Sequence, residues 1–130
     1  PEDGHLWTVE ADTKHADVAQ TNLKAAGLDK RVTVVEGPAT AILGILERHG
    51  PFDAVFVDAD KESYPHYGRW AAKNLRPGGL LLADNAFYFG GLMQDDPVAE
   101  GVRKFHQEAT SVFDTVCIPT PDGLLLGVKR

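Results

Sequence analysis

The sequence predicts an α/β fold: an open, mostly parallel sheet that closes with an antiparallel hairpin. Three observations carry this. Four short apolar runs recur along the chain, three of them ending in acids. Between them, apolar residues repeat every three or four positions, the period of a helix with one buried face. The last two apolar runs flank Pro121-Asp122-Gly123, a hairpin turn. Strands alternating with helices give an open α/β sheet, and a terminal hairpin adds an antiparallel edge.

In order, His5 to Glu10 reads as a short strand. Ala16, Ala19, Leu23 and Ala26 then mark a helix face; Asp12 or Thr13 can cap its start and Gly27 can end it in a left-handed turn. Val32 to Glu36, rich in β-branched residues, is a second strand. Ala39, Ile42, Leu43 and Leu46 make another helix face after Gly37-Pro38, stopped by Gly50-Pro51. Phe52 to Asp58 is nearly continuous in apolar residues, as expected of a strand covered on both faces. A helix around Tyr64 to Leu75 leads through Pro77-Gly78-Gly79 to a fourth strand, Leu80 to Ala83. Asp96 caps a helix with Pro97 at its first position, whose inward stripe is Val98, Val102, Phe105 and Ala109. Thr115 to Ile118 and Leu124 to Val128 form the hairpin.

With 130 residues the chain is expected to form one domain, residues 1–130, large enough to bury a core. No apolar run is long enough to cross a bilayer, so no membrane partner is expected. The net charge of −6, spread along the chain, offers no basic stripe for a phosphate backbone and argues against nucleic acid. A single cysteine, Cys117, rules out an internal disulfide framework; lying in an apolar stretch, it reads as a buried core thiol. A reducing, cytoplasmic location fits this usage.

In open α/β sheets, ligands bind beyond the carboxyl ends of the strands. Three strands end there in acids: Glu10, then Asp58 with Asp60, then Asp84 with Asn85. One acid after a strand is as often a helix cap as a ligand; three together favour a site. Asp58, Asp84 and Asn85 offer only oxygen donors, which suits a hard cation such as Mg²⁺ better than zinc. Lys61, just beyond Asp58, could accept a proton there, although a solvated lysine at a helix start reads the same way. Glu10 stands where this fold class places an acid on ribose hydroxyls, but the glycine-rich turn that belongs about 20 residues upstream is not in the sequence.

The run Phe52-Asp53-Ala54-Val55-Phe56-Val57-Asp58-Ala59-Asp60-Lys61 with Tyr64 and Tyr67, followed by Arg76-Pro77-Gly78-Gly79 and Asp84-Asn85, resembles the cation-dependent O-methyltransferases. These include the catechol and caffeoyl-coenzyme A O-methyltransferases. The resemblance extends from Gly4 to Lys129-Arg130. It implies a Rossmann-like class I methyltransferase sheet lacking its first strand and the helices before it. It also implies S-adenosylmethionine as cofactor, Mg²⁺ or another divalent cation held by Asp58, Asp84 and Asn85, and Lys61 as general base. Glu10 would bind the cofactor's ribose, Gly37, Pro38 and Ala39 would border its adenine, and Asp60 would lie near its methionine end. The reaction implied is methyl transfer to a small acceptor, typically an aromatic vicinal diol.

Two departures stand out. The family's glycine-rich motif is missing, and Ala86 to Met93 replaces the usual tryptophan-containing segment after Asp-Asn. The aromatics of that segment either stack on an acceptor or pack internally. In the family the missing strand lies between the strands ending at Glu10 and Asp58, so each is expected to lose a neighbour, the gap being filled by a second chain in a homo-oligomer or by rearrangement; the alternative is that the chain is a piece of a longer protein. Two other readings are weighed beside this one. A dinucleotide-dependent oxidoreductase of the same fold has no need of the Asp-Asn pair. A non-catalytic relative that self-associates or regulates an intact partner would suit the missing loop.

Overall fold

The computed structural model describes residues 3–130, which divide into two compact units, one ending at Leu46 and one beginning at Glu47. In the first, β1 (Leu6–Glu10) pairs in parallel with β2 (Val32–Glu36), in register from Leu6 opposite Val32 to Glu10 opposite Glu36. They are joined by α1 (Thr13–Ala25). Of the two capping candidates the structure selects Asp12, whose Oδ1 accepts from the backbone N–H groups of Lys14 and His15. Gly27 follows the helix at φ +69°, the left-handed turn expected of it. Ala16 is fully buried and Ala19 and Leu23 are half-buried. Ala26 is exposed, because it is the C-cap residue, beyond the last helical turn. α2 (Ala39–Leu46) closes this unit, with Leu46 buried.

The second unit opens with a single 3₁₀ turn and a cis Gly50–Pro51 bond. It then runs β3 (Phe52–Val57), α3 (Tyr64–Asn74), β4 (Leu75–Ala83), α4 (Pro97–Val112), β5 (Phe113–Ile118) and β6 (Leu124–Lys129). The strand order is β3-β4-β6-β5: β3 and β4 are parallel, and the hairpin adds the antiparallel edge. Among the described residues β1 and β3 each have one strand neighbour, so the strands form two sheets and both expected open edges are present.

One face of the four-stranded sheet carries Val57, Leu81, Ala83, Leu125 and Phe113, each at most 5% exposed. Tyr64, Tyr67 and Ala71 of α3 and Ala99, Val102, Phe105 and Ala109 of α4 are buried with them. Each large apolar side chain so buried contributes about 1.5–3 kcal/mol. Ala99, rather than the half-buried Val98, completes the inward stripe of α4.

The opposite face corrects the expectation that Phe52 to Asp58 is covered on both sides. Phe56, Leu82, Leu126 and Val116 form one cross-strand row, and Leu80 lies opposite Val128 in the next. Phe56 is 63% exposed and Val116 56%, with Leu80 and Val128 also open. An apolar run records that a strand is sticky, not that something lies against it. Cys117 is corrected too: it is exposed, near the far end of β5, the outer strand of the sheet. Burial of part of its surface nevertheless pushes the thiol's pKa above its ordinary value.

Candidate active site

β3 and β4 are in register through Val57 opposite Ala83, and the next amide, Asp84 N–H, donates to the Val57 carbonyl at 2.9 Å. Asp58 and Asp84 are therefore the next residues on two adjacent parallel strands, which run about 4.8 Å apart. Asn85 follows at φ +51°, a left-handed conformation that asparagine adopts more readily than most residues. Its N–H donates to Asp84 Oδ1 at 2.8 Å, which fixes that carboxylate against the strand tip.

Lys61 folds back over this corner from a 3₁₀ turn (Lys61–Ser63) capped by Asp60. Its side chain is 12% exposed, so it is not a solvated lysine at a helix start. Nζ donates to Tyr64 Oη at 2.7 Å, to the Ala59 carbonyl at 3.1 Å and to Asp58 Oδ1 at 3.4 Å. Tyr64 is fully buried and its hydroxyl donates to the Asp84 carbonyl at 2.8 Å. Burial, reinforced by the carboxylates of Asp58, Asp84, Asp60 and Asp122, pushes the Tyr64 phenol well above the ordinary tyrosine range.

Asp60 has a different set of partners. Its Oδ2 accepts from Ser63 N–H at 3.0 Å and its Oδ1 from the Tyr67 hydroxyl at 2.6 Å. Burial alone would raise its pKa, but the hydrogen bonds from Ser63 and Tyr67 outweigh that and hold it below the usual carboxylate value. Tyr67, buried and donating to a carboxylate, is pushed up to about 12.

Beyond Asn85 the chain pairs briefly with the hairpin turn: Ala86 N–H donates to the Gly123 carbonyl and Phe87 N–H to that of Asp122. His106 Nε2 donates to the Ala86 carbonyl at 2.9 Å. The far end of this loop is held by Arg103, whose guanidinium donates to the carbonyls of Leu92 at 2.6 Å and Gln94 at 2.9 Å. Between those anchors Phe89 is 72% and Met93 87% exposed, and Tyr88 and Phe89 both adopt positive φ. Phe87 packs closely on Gly123, so of the two roles left open for these aromatics it takes the packing one.

In the first unit, Glu10 and the Gly37-Pro38-Ala39 segment lie side by side: Gly37 N–H donates to the Glu10 carbonyl at 2.9 Å. Gly37 has φ +139°. Glu10 Oε1 accepts from Asp12 N–H at 2.9 Å.

Within the second unit the structure thus gathers Asp58, Asp60, Lys61, Asp84 and Asn85 around one strand-tip corner. Among the described residues no three His, Cys, Asp or Glu side chains converge as a metal cluster. The donor set is two carboxylates and an amide, which fits a cation that keeps most of its water, as Mg²⁺ does. Sequence reasoning gave no role to Tyr64, Arg103 or Asp122. Tyr64, one helical turn beyond Lys61, carried a usable signal in that spacing. Asp122 was read as a turn residue only, yet its Oδ2 is buried without a hydrogen-bond partner.

Comparison with known proteins identifies the family. The O-methyltransferase family model matches residues 1–130. A catechol O-methyltransferase of Niastella koreensis is 43% identical over all of this chain, which spans 64% of that protein. Caffeoyl-CoA O-methyltransferase 2 of Zea mays is 34% identical over 97% of the chain, which spans 53% of it. The chain therefore covers less than two thirds of these relatives. Among solved structures, the Bacillus cereus O-methyltransferase in complex with SAH superposes with a TM-score of 0.91 at 34% identity, covering 98% of this chain and 63% of that one. TomG of Streptomyces achromogenes, in complex with SAM, gives 0.89 at 33% identity, covering 100% and 64%. By the family model over its whole length and by its identity to these relatives, the chain belongs to the O-methyltransferase family.

Proposed function

We propose that the protein carrying this chain is a S-adenosylmethionine-dependent, divalent-cation-dependent O-methyltransferase for a small acceptor with vicinal aromatic hydroxyls. The observation that carries this reading is the register of β3 and β4, which sets Asp58 beside Asp84 with Lys61 folded over them. Asp58, Asp84 and Asn85 would hold the cation. When bound, the cofactor supplies an electrophilic methyl on a sulfonium sulfur and the cation a Lewis acid for the acceptor oxygens. Lys61 Nζ takes the proton of the hydroxyl to be methylated. For that it must arrive neutral, keeping two N–H donors for two of its three present acceptors and turning its lone pair to the substrate. Glu10 would bind the cofactor's ribose, Gly37, Pro38 and Ala39 would border its adenine, and Asp60 would lie near its methionine end. The names of the relatives support the acceptor class, and the SAH- and SAM-bound neighbours support the cofactor.

The test has two arms. Titration of the chain with Mn²⁺, followed by electron paramagnetic resonance, should give one saturable site, weakened at least about tenfold by Asp84→Ala. Methyl transfer to a catechol acceptor by the whole protein should vanish in excess EDTA. Undiminished turnover in EDTA would overturn the cation's role.

A second reading, a chain that self-associates without catalysis, is favoured by the open apolar row of Phe56, Leu82, Leu126 and Val116. Sedimentation velocity across a concentration series distinguishes it: a homo-oligomer without cofactor binding would support it, and a monomer that binds S-adenosylmethionine would exclude it.

A further inference from the structure

We propose that Tyr64 is a positioning residue of this corner: its hydroxyl ties the backbone of Asp84 to the side chain of Lys61 and so sets the two strand tips at the separation a cation needs. This rests on the cation-site reading and adds to it a group outside the ligand set. The ring itself is accounted for by packing, since it meets Phe105 edge-on at 5.4 Å and Tyr67 at 6.4 Å. A phenylalanine would fill that space equally well. The hydroxyl is what packing does not explain. It sits between a donor on the turn after β3 and an acceptor at the end of β4, with Lys61 Nζ at 2.7 Å and the Asp84 carbonyl at 2.8 Å.

Its direction is fixed by its chemistry. A carbonyl oxygen can only accept, so the hydroxyl's one hydrogen goes to the Asp84 carbonyl and a lone pair faces the Lys61 donor. Lys61 in turn reaches Asp58 and the Ala59 carbonyl. A continuous chain of hydrogen bonds therefore runs from Asp58 Oδ1 through Lys61 and Tyr64 to the Asp84 carbonyl, linking the two carboxylate-bearing residues. Groups that orient ligating residues in this way typically change metal affinity about 10–100-fold when removed.

The test is Mn²⁺ binding by the full chain, read as a dissociation constant beside a thermal melt, for wild type, Tyr64→Phe and Tyr67→Phe. Tyr67 is a buried hydroxyl on the same helix that donates to Asp60 and touches neither strand tip. Tyr64→Phe should weaken Mn²⁺ about tenfold and Tyr67→Phe by less than about twofold, although both lose a hydrogen bond of similar worth to the fold. Equal weakening by both, or an unchanged constant in a folded Tyr64→Phe, overturns the inference while leaving the cation site standing. No saturable binding by wild type removes the cation site and this inference with it. Should Tyr64→Phe not fold, wild type labelled with 3-fluorotyrosine carries three fluorines, at Tyr64, Tyr67 and Tyr88. The Tyr64 resonance should then move with Mg²⁺ at the concentration that fills the site; a resonance indifferent to Mg²⁺ overturns the inference equally.

Discussion

Alanine at Gly68 should destabilise the protein, although Gly68 lies inside α3, where alanine is the better helix former by about 1 kcal/mol. A Cβ there would meet Cδ2 and Cε2 of Phe105 at 2.7 and 2.8 Å, against the roughly 3.5–4.0 Å of a relaxed carbon contact. Phe105 cannot swing aside cheaply, being 1% exposed and set edge-on against Tyr64. Overpacking of this kind costs about 1–3 kcal/mol, so the net loss is about 1 kcal/mol, within a range of about 0 to 2. Gly101, on α4, supplies the comparison. The nearest atom to its added Cβ is the Glu62 carbonyl oxygen at 3.9 Å, so Gly101→Ala keeps the full propensity gain of about 1 kcal/mol. The two variants should differ by about 2 kcal/mol in urea unfolding, or about 8 °C in Tm for a chain of this size. If Gly68→Ala is as stabilising as Gly101→Ala, Phe105 has room that the packing denies it, and the reasoning fails. Because Phe105 also supports Tyr64, Gly68→Ala should weaken Mn²⁺ binding and Gly101→Ala should not.

Three further outcomes follow from contacts described above. Arg103→Ala removes the donors that hold the Leu92 and Gln94 carbonyls, so amides of residues 88–94 should exchange with deuterium about tenfold faster while those of β4 are unchanged; equal protection would show that the loop holds itself. Asp60 has a folded-state pKa below its ordinary 3.8, so the stability it contributes is present above that pH and lost as pH falls through the lower folded value. Asp60→Asn should therefore melt below wild type at pH 7, with the gap closing below pH 3.8; a constant gap would mean that the carboxylate's charge is not what matters. Gly123→Ala combines φ +74° with a Cβ at 2.7 Å from the Phe87 ring and should cost about 2–4 kcal/mol in chemical unfolding, whereas a neutral result would show that the Phe87 packing is loose.

Much of the site was legible because its signals are local. Asp58, Asp60 and Lys61 lie within four residues, and Asp84-Asn85 ends a strand whose apolar run is unmistakable. The register that joins them was inferable only in kind, from two parallel strands ending in acids. What stayed hidden depended on residues far apart in the chain. Tyr64 meets Asp84 across 20 positions, and Arg103 reaches back 9 and 11 positions to its carbonyls. Burial was misread at Phe56 and Cys117 for the same reason, since an apolar side chain in a strand says nothing about which neighbour covers it. The expected helix stripes fared better on α4 than on α1, where one residue, Ala16, is fully buried.

The way the stretch after Asn85 is fastened separates two kinds of change. Its first residues are stitched to the hairpin turn and its last to Arg103, so strain introduced in the middle is absorbed before it reaches Asp84. Phe89, exposed between those fastenings, can thus be exchanged, by evolution or by design, while the acidic corner keeps its shape. Diversity at the tip and constancy at the base become independent properties of one short segment.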